Sequence, residues 1–352
     1  MSPSISSAIR INIRDATTAV PSPSYGTPIV IGEDPDGEHF SEVKTYYSQS
    51  EVENDFGADS LIAKATAKAF AQGIGKILVV NVHDGTEAKY DEVLSDLAER
   101  ANYDIIIPTI DAGNSNAPKL VDHAETYHKL LILPYIGSKD DAIAKFGAIT
   151  PSDYVYAVAH DDTTLTPAEL AGAVAGVIAT LKPWQTCEWV TVQGISPANY
   201  KASEIDELEN HNIATVMEIV KPVLSNARTL NGGRVYISRS KVYLAEVIRS
   251  DLINLKLRLN NLGQGIPYTP AGLQVIKSRI EGTLRAQQKL GVLKPDWIDS
   301  EGNLHPGFEV WMPAYEDIPD SDKSDGILRN VRITAYLMNY VEKIELELVI
   351  TL

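Results

Sequence analysis

The segment Arg329–Leu352 reads RNVRITAYLMNYVEKIELELVITL and holds two stretches in which every second residue is apolar. In the first, Val331, Ile333, Ala335 and Leu337 share one face, with Arg332 and Thr334 on the other. In the second, Ile344, Leu346, Leu348, Ile350 and Leu352 share a face opposite Glu345 and Glu347. A period of two is the pattern of a half-buried strand, because successive side chains of an extended backbone point to opposite faces. The second strand runs to the last residue, where chains usually fray. The other end repeats the pattern. There Ile9, Ile11 and Ile13 alternate with Arg10, Asn12 and Arg14, ahead of the Ser/Pro-rich Pro21–Ser24. A strand with an open edge is an aggregation hazard unless a partner completes its sheet. Both ends therefore read as strands offered to another chain, and the protein as a subunit of an assembly.

Between the ends, strands and helices alternate. Apolar runs predict strands over 27–32, 77–82, 104–110, 130–136, 154–159, 212–219 and 234–237. Helical spacing predicts helices over 50–55, 60–71, 90–101, 117–127, 139–146, 167–181, 242–259 and 270–289. Gly57 and Gly73 supply helix stops, and Thr269-Pro270 fits the cap and first position of the last helix. Regular alternation of this kind indicates an α/β fold with α+β mixing: an α/β layer on a mainly parallel or mixed sheet, flanked by extended N- and C-terminal strand arms. Four segments are expected. Residues 1–24 form a strand arm and linker, and 25–230 an α/β body. Residues 231–315 form a C-terminal core segment with two long basic helices, and 316–352 a linker and second strand arm.

The 352 residues suffice for two or three compact units, and 44% apolar with 22% charged content is ordinary for a folded protein. No apolar run approaches the ~20 residues needed to span a bilayer, so no membrane insertion is expected. The opening MSPSISSAIR lacks a basic region followed by an apolar stretch, so no secretory signal is expected either. Cys187 is the sole cysteine, which excludes an intrachain disulfide and fits a reducing compartment. A net charge of -16 argues against general nucleic-acid binding. The charge is uneven, however: ten Lys and Arg between Arg234 and Lys289 face three acidic residues, so this segment carries +7 and the remainder -23. Two readings of that segment stand, a pair of solvated basic helix faces or a surface facing an acidic partner.

Chemistry-bearing motifs are scarce. His160-Asp161-Asp162 follows a strand, where α/β enzymes place catalytic or metal-binding groups, but no second ligand cluster stands at suitable spacing. Asp320, Asp322 and Asp325-Gly326 resemble part of a calcium loop, yet Arg332 occupies the place of the bidentate Glu. Gly73-Ile-Gly75 precedes a strand instead of following one, the wrong order for a dinucleotide fingerprint. No catalytic residue, metal site or cofactor is expected.

In this order along the chain, the following fragments resemble the contractile tail sheath family of myophage tails, R-type tailocins and contractile injection systems. They are Ile29-Val-Ile-Gly32, Gln49–Gly57, Phe70-Ala-Gln-Gly73 leading to Ile77–Val82, and the Ala/Gly-rich Ala171–Ala179 with downstream Trp184. Ile205–Leu208, Asn210–Ile213, Ala227-Arg-Thr-Leu230 and the closing Asp322–Leu352 continue the series. One departure is Gly263–Pro270 (GQGIPYTP), where the family carries Phe-Glu-Pro-Asn between two long helices. The chain is also short for the family, so large outer insertions are expected to be missing. The resemblance implies a structural subunit that polymerises as stacked rings around an inner tail tube and contracts to drive the tube through an envelope. Terminal strands would complete sheets on neighbouring subunits. Ile9, Ile11, Ile13, Ile344, Leu346, Leu348 and Ile350 would then be strand-exchange residues, with 16–24 and 316–326 as hinges. Lys256, Arg258, Lys277, Arg279, Arg285 and Lys289 would face the tube. The implied partners are further copies of the chain, the tube protein, and baseplate and tail terminator proteins. The implied location is a virion tail or tailocin-like particle assembled in the host cytoplasm. The alternatives are a sheath-like cap or baseplate protein, and an α/β enzyme whose site is not visible in the sequence.

Overall fold

The computed structural model describes residues 26–35, 40–100 and 102–341, the side chains of 99 and 100 excepted. The seven strand-exchange residues named above lie outside the described residues. The chain divides into two compact units, Met1–Ile253 and Asn254–Leu352.

The first unit is built on one sheet. Its elements run β1 (Pro28–Gly32), β2 (Lys44–Tyr46), α1 (Gln49–Phe56), α2 (Leu61–Phe70), β3 (Ile77–Asn81), α3 (Glu87–Arg100), β4 (Ile105–Pro108) and α4 (Ala117–Tyr127). Then follow β5 (Leu130–Ile136), α5 (Lys139–Gly147), β6 (Val155–His160), α6 (Pro167–Thr180), α7 (Ala202–Asn210), β7 (Ile213–Glu218) and β8 (Pro222–Leu224). The 27-residue α8 (Val235–Asn261) carries the chain from this unit into the next. The strand order is β2-β3-β1-β4-β5-β6-β7-β8. The six inner strands are parallel, and the edge strands β2 and β8 are antiparallel.

The pleat sorts the core into two layers. Val30, Ile105, Ile107, Ile132, Tyr156 and Val158 face α2 and α6, whereas Ile29, Ile31, Ile106, Leu131, Leu133 and Val155 face α3, α4 and α5. Strands covered on both faces read as unbroken apolar runs, and IIIP and VYAVAH are such runs. Helix α6 is held from its first turn by a capping box, in which Thr166 accepts from the Glu169 N–H and Glu169 from the Thr166 N–H. It is buried from Leu170 to Ala179 and lies across α2 so closely that Gly172 and Gly176 sit on the backbone at Ala65 and Ala69.

Most expected elements of this unit lie within a few residues of their predicted bounds. One differs in type: of residues 234–237, expected as a strand, Arg234 makes only an isolated bridge to Arg228 and 235–237 form the start of α8. Val235 and Tyr236 are both buried, and a four-residue apolar run cannot distinguish a strand from the first turn of a helix.

The second unit continues from α8 into α9 (Pro270–Lys289), whose cap Thr269 accepts from the Gly272 N–H. A short hairpin follows, β9 (Trp297–Ile298) with β10 (Leu304–His305), then β11 (Phe308–Trp311), a 3-10 turn at Tyr315–Asp317 and α10 (Asp320–Ser324). The last described strand, β12 (Arg332–Ala335), is the first of the two alternating stretches near the C-terminus, and it pairs antiparallel with β11.

Candidate functional site

Among the described residues, the sheet of β11 and β12 has these two strands. Its register sets Phe308 opposite Ala335, Glu309 opposite Thr334, Val310 opposite Ile333 and Trp311 opposite Arg332. One face is therefore apolar, with Phe308, Val310, Ile333 and Ala335. The other carries Glu309, Thr334, Trp311 and Arg332, whose guanidinium lies 5.4 Å from the Trp311 ring centre. A two-stranded ribbon is marginal alone, and three or more strands with an apolar face are needed for independent stability. Here the apolar face is incompletely covered: Ile333 remains 37% exposed. Past the end of β12 the pairing continues on the β11 side, where Tyr336 N–H donates to Gly307 C=O, Lys294 N–H to Tyr336 C=O and Met338 N–H to Val292 C=O. Along Arg332–Ala335, and along β11, no further strand is paired among the described residues.

Exposed apolar side chains concentrate in this second unit. Of 18 large exposed apolar residues in the described chain, 13 lie between Leu257 and Val341. The β9–β10 hairpin alone exposes Trp297, Ile298 and Leu304 by more than half. Its base is held by Trp297 stacked on His305 at 4.3 Å, and by a hydrogen bond between His305 Nε2 and Asp299. That bond, with backbone N–H groups of Asn303 and Glu301, holds the Asp299 carboxyl down at about 2.

The six expected tube-facing residues fall into three settings. Lys256 and Arg258 are exposed at the end of α8 and flank exposed Leu257. Arg285 and Lys289 are exposed on α9. Lys277 and Arg279 are half-buried, and Lys277 lies 3.9 Å from Glu281. At about 100° per residue, Lys277 and Arg279 stand roughly 200° apart around the helix, on opposite shoulders of its buried stripe. Four of the six are thus exposed, and two are half-buried. Two further basic residues of the +7 segment are internal. Arg239 is 3.5 Å from Asp104, and Arg249 is 3.4 Å from Glu246.

The chemistry-bearing fragments have local partners. His160 is fully buried: its Nδ1 accepts from the Asp162 N–H, and its Nε2 donates to the Ser196 carbonyl. Asp161 accepts from the Asn199 N–H and Asp162 from Thr164, whose hydroxyl and N–H hold the Asp162 carboxyl below its usual range. The triplet organises its own loop. Asp320 and Asp322 pair with Lys323 and Arg329 around α10. Among the described residues no group of three or more His, Cys, Asp or Glu could hold a metal, and no helix is long and apolar enough to cross a membrane.

The fold is that of contractile sheath proteins. A chain of the anti-feeding prophage baseplate superposes with a TM-score of 0.73 at 13% identity, covering 98% of each chain. The helical sheath of the same particle in its contracted state gives 0.70 at 12% identity and 97% of each chain. The PVC sheath complex of an extracellular contractile injection system, also contracted, gives 0.68 at 14% identity, covering 97% of this chain and 96% of that one. No family profile matches the chain, and no curated protein matches it by sequence. What is shared at such identity is the backbone, from the sheet of the first unit through the ribbon of the second.

Proposed function

We propose that this chain is the structural subunit of a contractile sheath, polymerising as stacked rings around an inner tube and contracting to drive that tube through a target envelope. The near-complete overlap with sheath chains, over both units, is the observation that carries the reading. The two-stranded ribbon and the apolar surface around it support it, since both gain from neighbours. Strands Ile9–Arg14 and Ile344–Leu352 would complete such ribbons on neighbouring copies. One added strand with about five backbone hydrogen bonds, each worth roughly 1 kcal/mol net, yields several kcal/mol per contact. Residues 16–24 and 316–326 would let the body rotate while the exchanged strands stay paired.

The tube-facing assignment narrows to Lys256, Arg258, Arg285 and Lys289, the exposed members of the set. Exposed ion pairs are worth only about 0–1 kcal/mol each, so contacts to an acidic tube of this kind would release together on contraction. Such a particle would be a virion tail or a tailocin-like device assembled in the host cytoplasm, with baseplate and tail terminator proteins at its ends. The baseplate match favours one second reading, a sheath-like ring that does not propagate.

Polymer length separates the two. By negative-stain electron microscopy the full chain is expected to form helical tubes, lost when residues 340–352 are removed. Single closed rings would favour the baseplate reading. Monomers in both samples, even with tube protein added, would contradict both.

A further inference from the structure

The β9–β10 hairpin buries none of its own strand residues. Cross-strand pairing puts Ile298 with Leu304 on one face and Trp297 with His305 on the other, and all four are exposed. So short a hairpin is marginal alone, yet polar bonds brace it at both ends. At the tip the Asp299 carboxylate accepts from the Glu301 and Asn303 N–H groups and from the Asn303 amide, and it pairs with His305. At the base Asp296 accepts from the Gly307 N–H and from the Gln288 side chain of α9. The hairpin is thus a preformed projection, apolar along its strands and acidic at its turn, where Asp299 and Glu301 stand. A preformed element loses little entropy when it docks, which suits it to inserting against a partner.

Charge selects the partner. An acidic tip is repelled by a second copy of itself, by the acidic remainder of the chain and by an acidic tube. The +7 segment 234–289 offers the opposite sign. Several of its cations are committed: Arg239 and Arg249 are internal, Lys277 lies against Glu281, and Arg285 acts on the charge of Asp296. The end of α8 differs. There Lys256 and Arg258 are exposed, make no ion pair among the described residues, and accompany exposed Leu257 and Leu262. The helical turn continues to Leu262, whose N–H donates to the Arg258 carbonyl. At about 100° per residue, Leu257, Asn261, Arg258 and Leu262 fall within an arc of about 140°, with Lys256 beside it. We infer that the Ile298–Leu304 face of the hairpin docks on this end of α8 in a second copy of the chain, setting Asp299 and Glu301 against Lys256 and Arg258. The inference rests on the sheath reading above. It gives to a neighbouring copy two of the four cations assigned there to the tube, and leaves Arg285 and Lys289. Because the two patches are different surfaces, each copy gives one and receives one. Such head-to-tail contacts close into a ring or continue as a helix, whereas a contact between like patches stops at a dimer.

Charge exchange in the full chain tests this, read as the critical concentration for polymerisation by pelleting, with circular dichroism confirming that each variant is folded. Glu301→Lys is expected to raise the critical concentration several-fold, and so is Lys256→Glu with Arg258→Glu. The three substitutions together are expected to recover most of that loss. Leu304→Ser, which removes apolar contact and leaves every charge in place, is expected to raise the critical concentration as well. A triple variant no better than the worse of its parents, or unchanged polymers after Leu304→Ser, would overturn the docking while the sheath reading stands. Lost co-sedimentation with tube protein after the α8 reversal, with tube-free polymers unchanged, would assign Lys256 and Arg258 to the tube and overturn the docking too. No polymer from the native chain, with or without tube protein, would remove the sheath reading and the inference with it.

Discussion

Lys129 is buried, and Asp104 half-buried, where the first unit closes around its sheet. Lys129 is 2% exposed and donates to the Tyr103 carbonyl. Asp104 accepts from the backbone N–H groups of Gly26 and Thr27, at the point where the N-terminal segment joins β1. Arg239 ties this corner to the end of α6 by donating to the Ile178 carbonyl. Burial pushes the Asp104 carboxyl up, against the opposing pull of Arg239. Burial pushes the Lys129 ammonium down from 10.5 to about 8. Because its folded pKa lies below the unfolded one, the unfolded chain holds the extra proton between those values. Stability from Lys129 therefore rises with pH through that window, and below it the buried charge is a constant cost. Compared with Lys129→Met in urea titrations, the native chain is expected to gain on the order of 1–2 kcal/mol between about pH 7.5 and 9.5. Parallel pH curves for the two proteins would contradict this. The same corner explains why a count of charges along 234–289 overstates the basic surface: Arg239 is paired inside with Asp104, and pairing across the fold leaves no mark in composition.

Helices α2 and α6 form the closest helix contact of the first unit. A Cβ on Gly172 would lie 2.1 Å from the Ala65 carbonyl oxygen, and one on Gly176 would lie 2.8 Å from that of Ala69. The obstacle is helix backbone, which has no flexible end to yield. Gly172→Ala would gain up to ~1 kcal/mol of helix propensity and lose about 1–3 kcal/mol or more to overpacking. A net loss of about 1–2 kcal/mol and a lower thermal midpoint are expected. Gly282 on α9 is the control, with nothing within 4 Å of its Cβ position, and Gly282→Ala is expected not to lower the midpoint. Equal effects of the two would show that α6 shifts freely on α2. At this scale the sequence is informative where patterns are long. Apolar runs with glycine stops mark the inner strands, and Thr269-Pro270 marks the start of α9. It is uninformative where elements are short. Strand β2 and the β9–β10 hairpin have two or three residues per strand, and α7 buries only Leu208. The strands span too few residues to set a period, and a single buried position draws no stripe on α7.

The two units differ in how much apolar surface they bury. The first buries two apolar layers on its sheet. The second buries few, among them Leu255, Ile280, Leu284, Val292 and Leu293, while most of the chain's exposed large apolar side chains lie in it. A unit that exposes more large apolar residues than it buries is suited to a lattice, where neighbours cover what the subunit leaves open. Of the alternating stretches, the one described, Arg332–Ala335, was legible as a strand because period two survives without knowledge of the partner. Its partner strand did not show, because Phe308–Trp311 is four residues long and carries one charge. The most direct measurement is a side-chain-resolution cryo-EM reconstruction of the assembled polymer. The account predicts that the β11–β12 ribbon becomes a four-stranded sheet whose two outer strands come from other copies of the chain. A polymer in which the ribbon stays two-stranded, with subunits joined elsewhere, would contradict it.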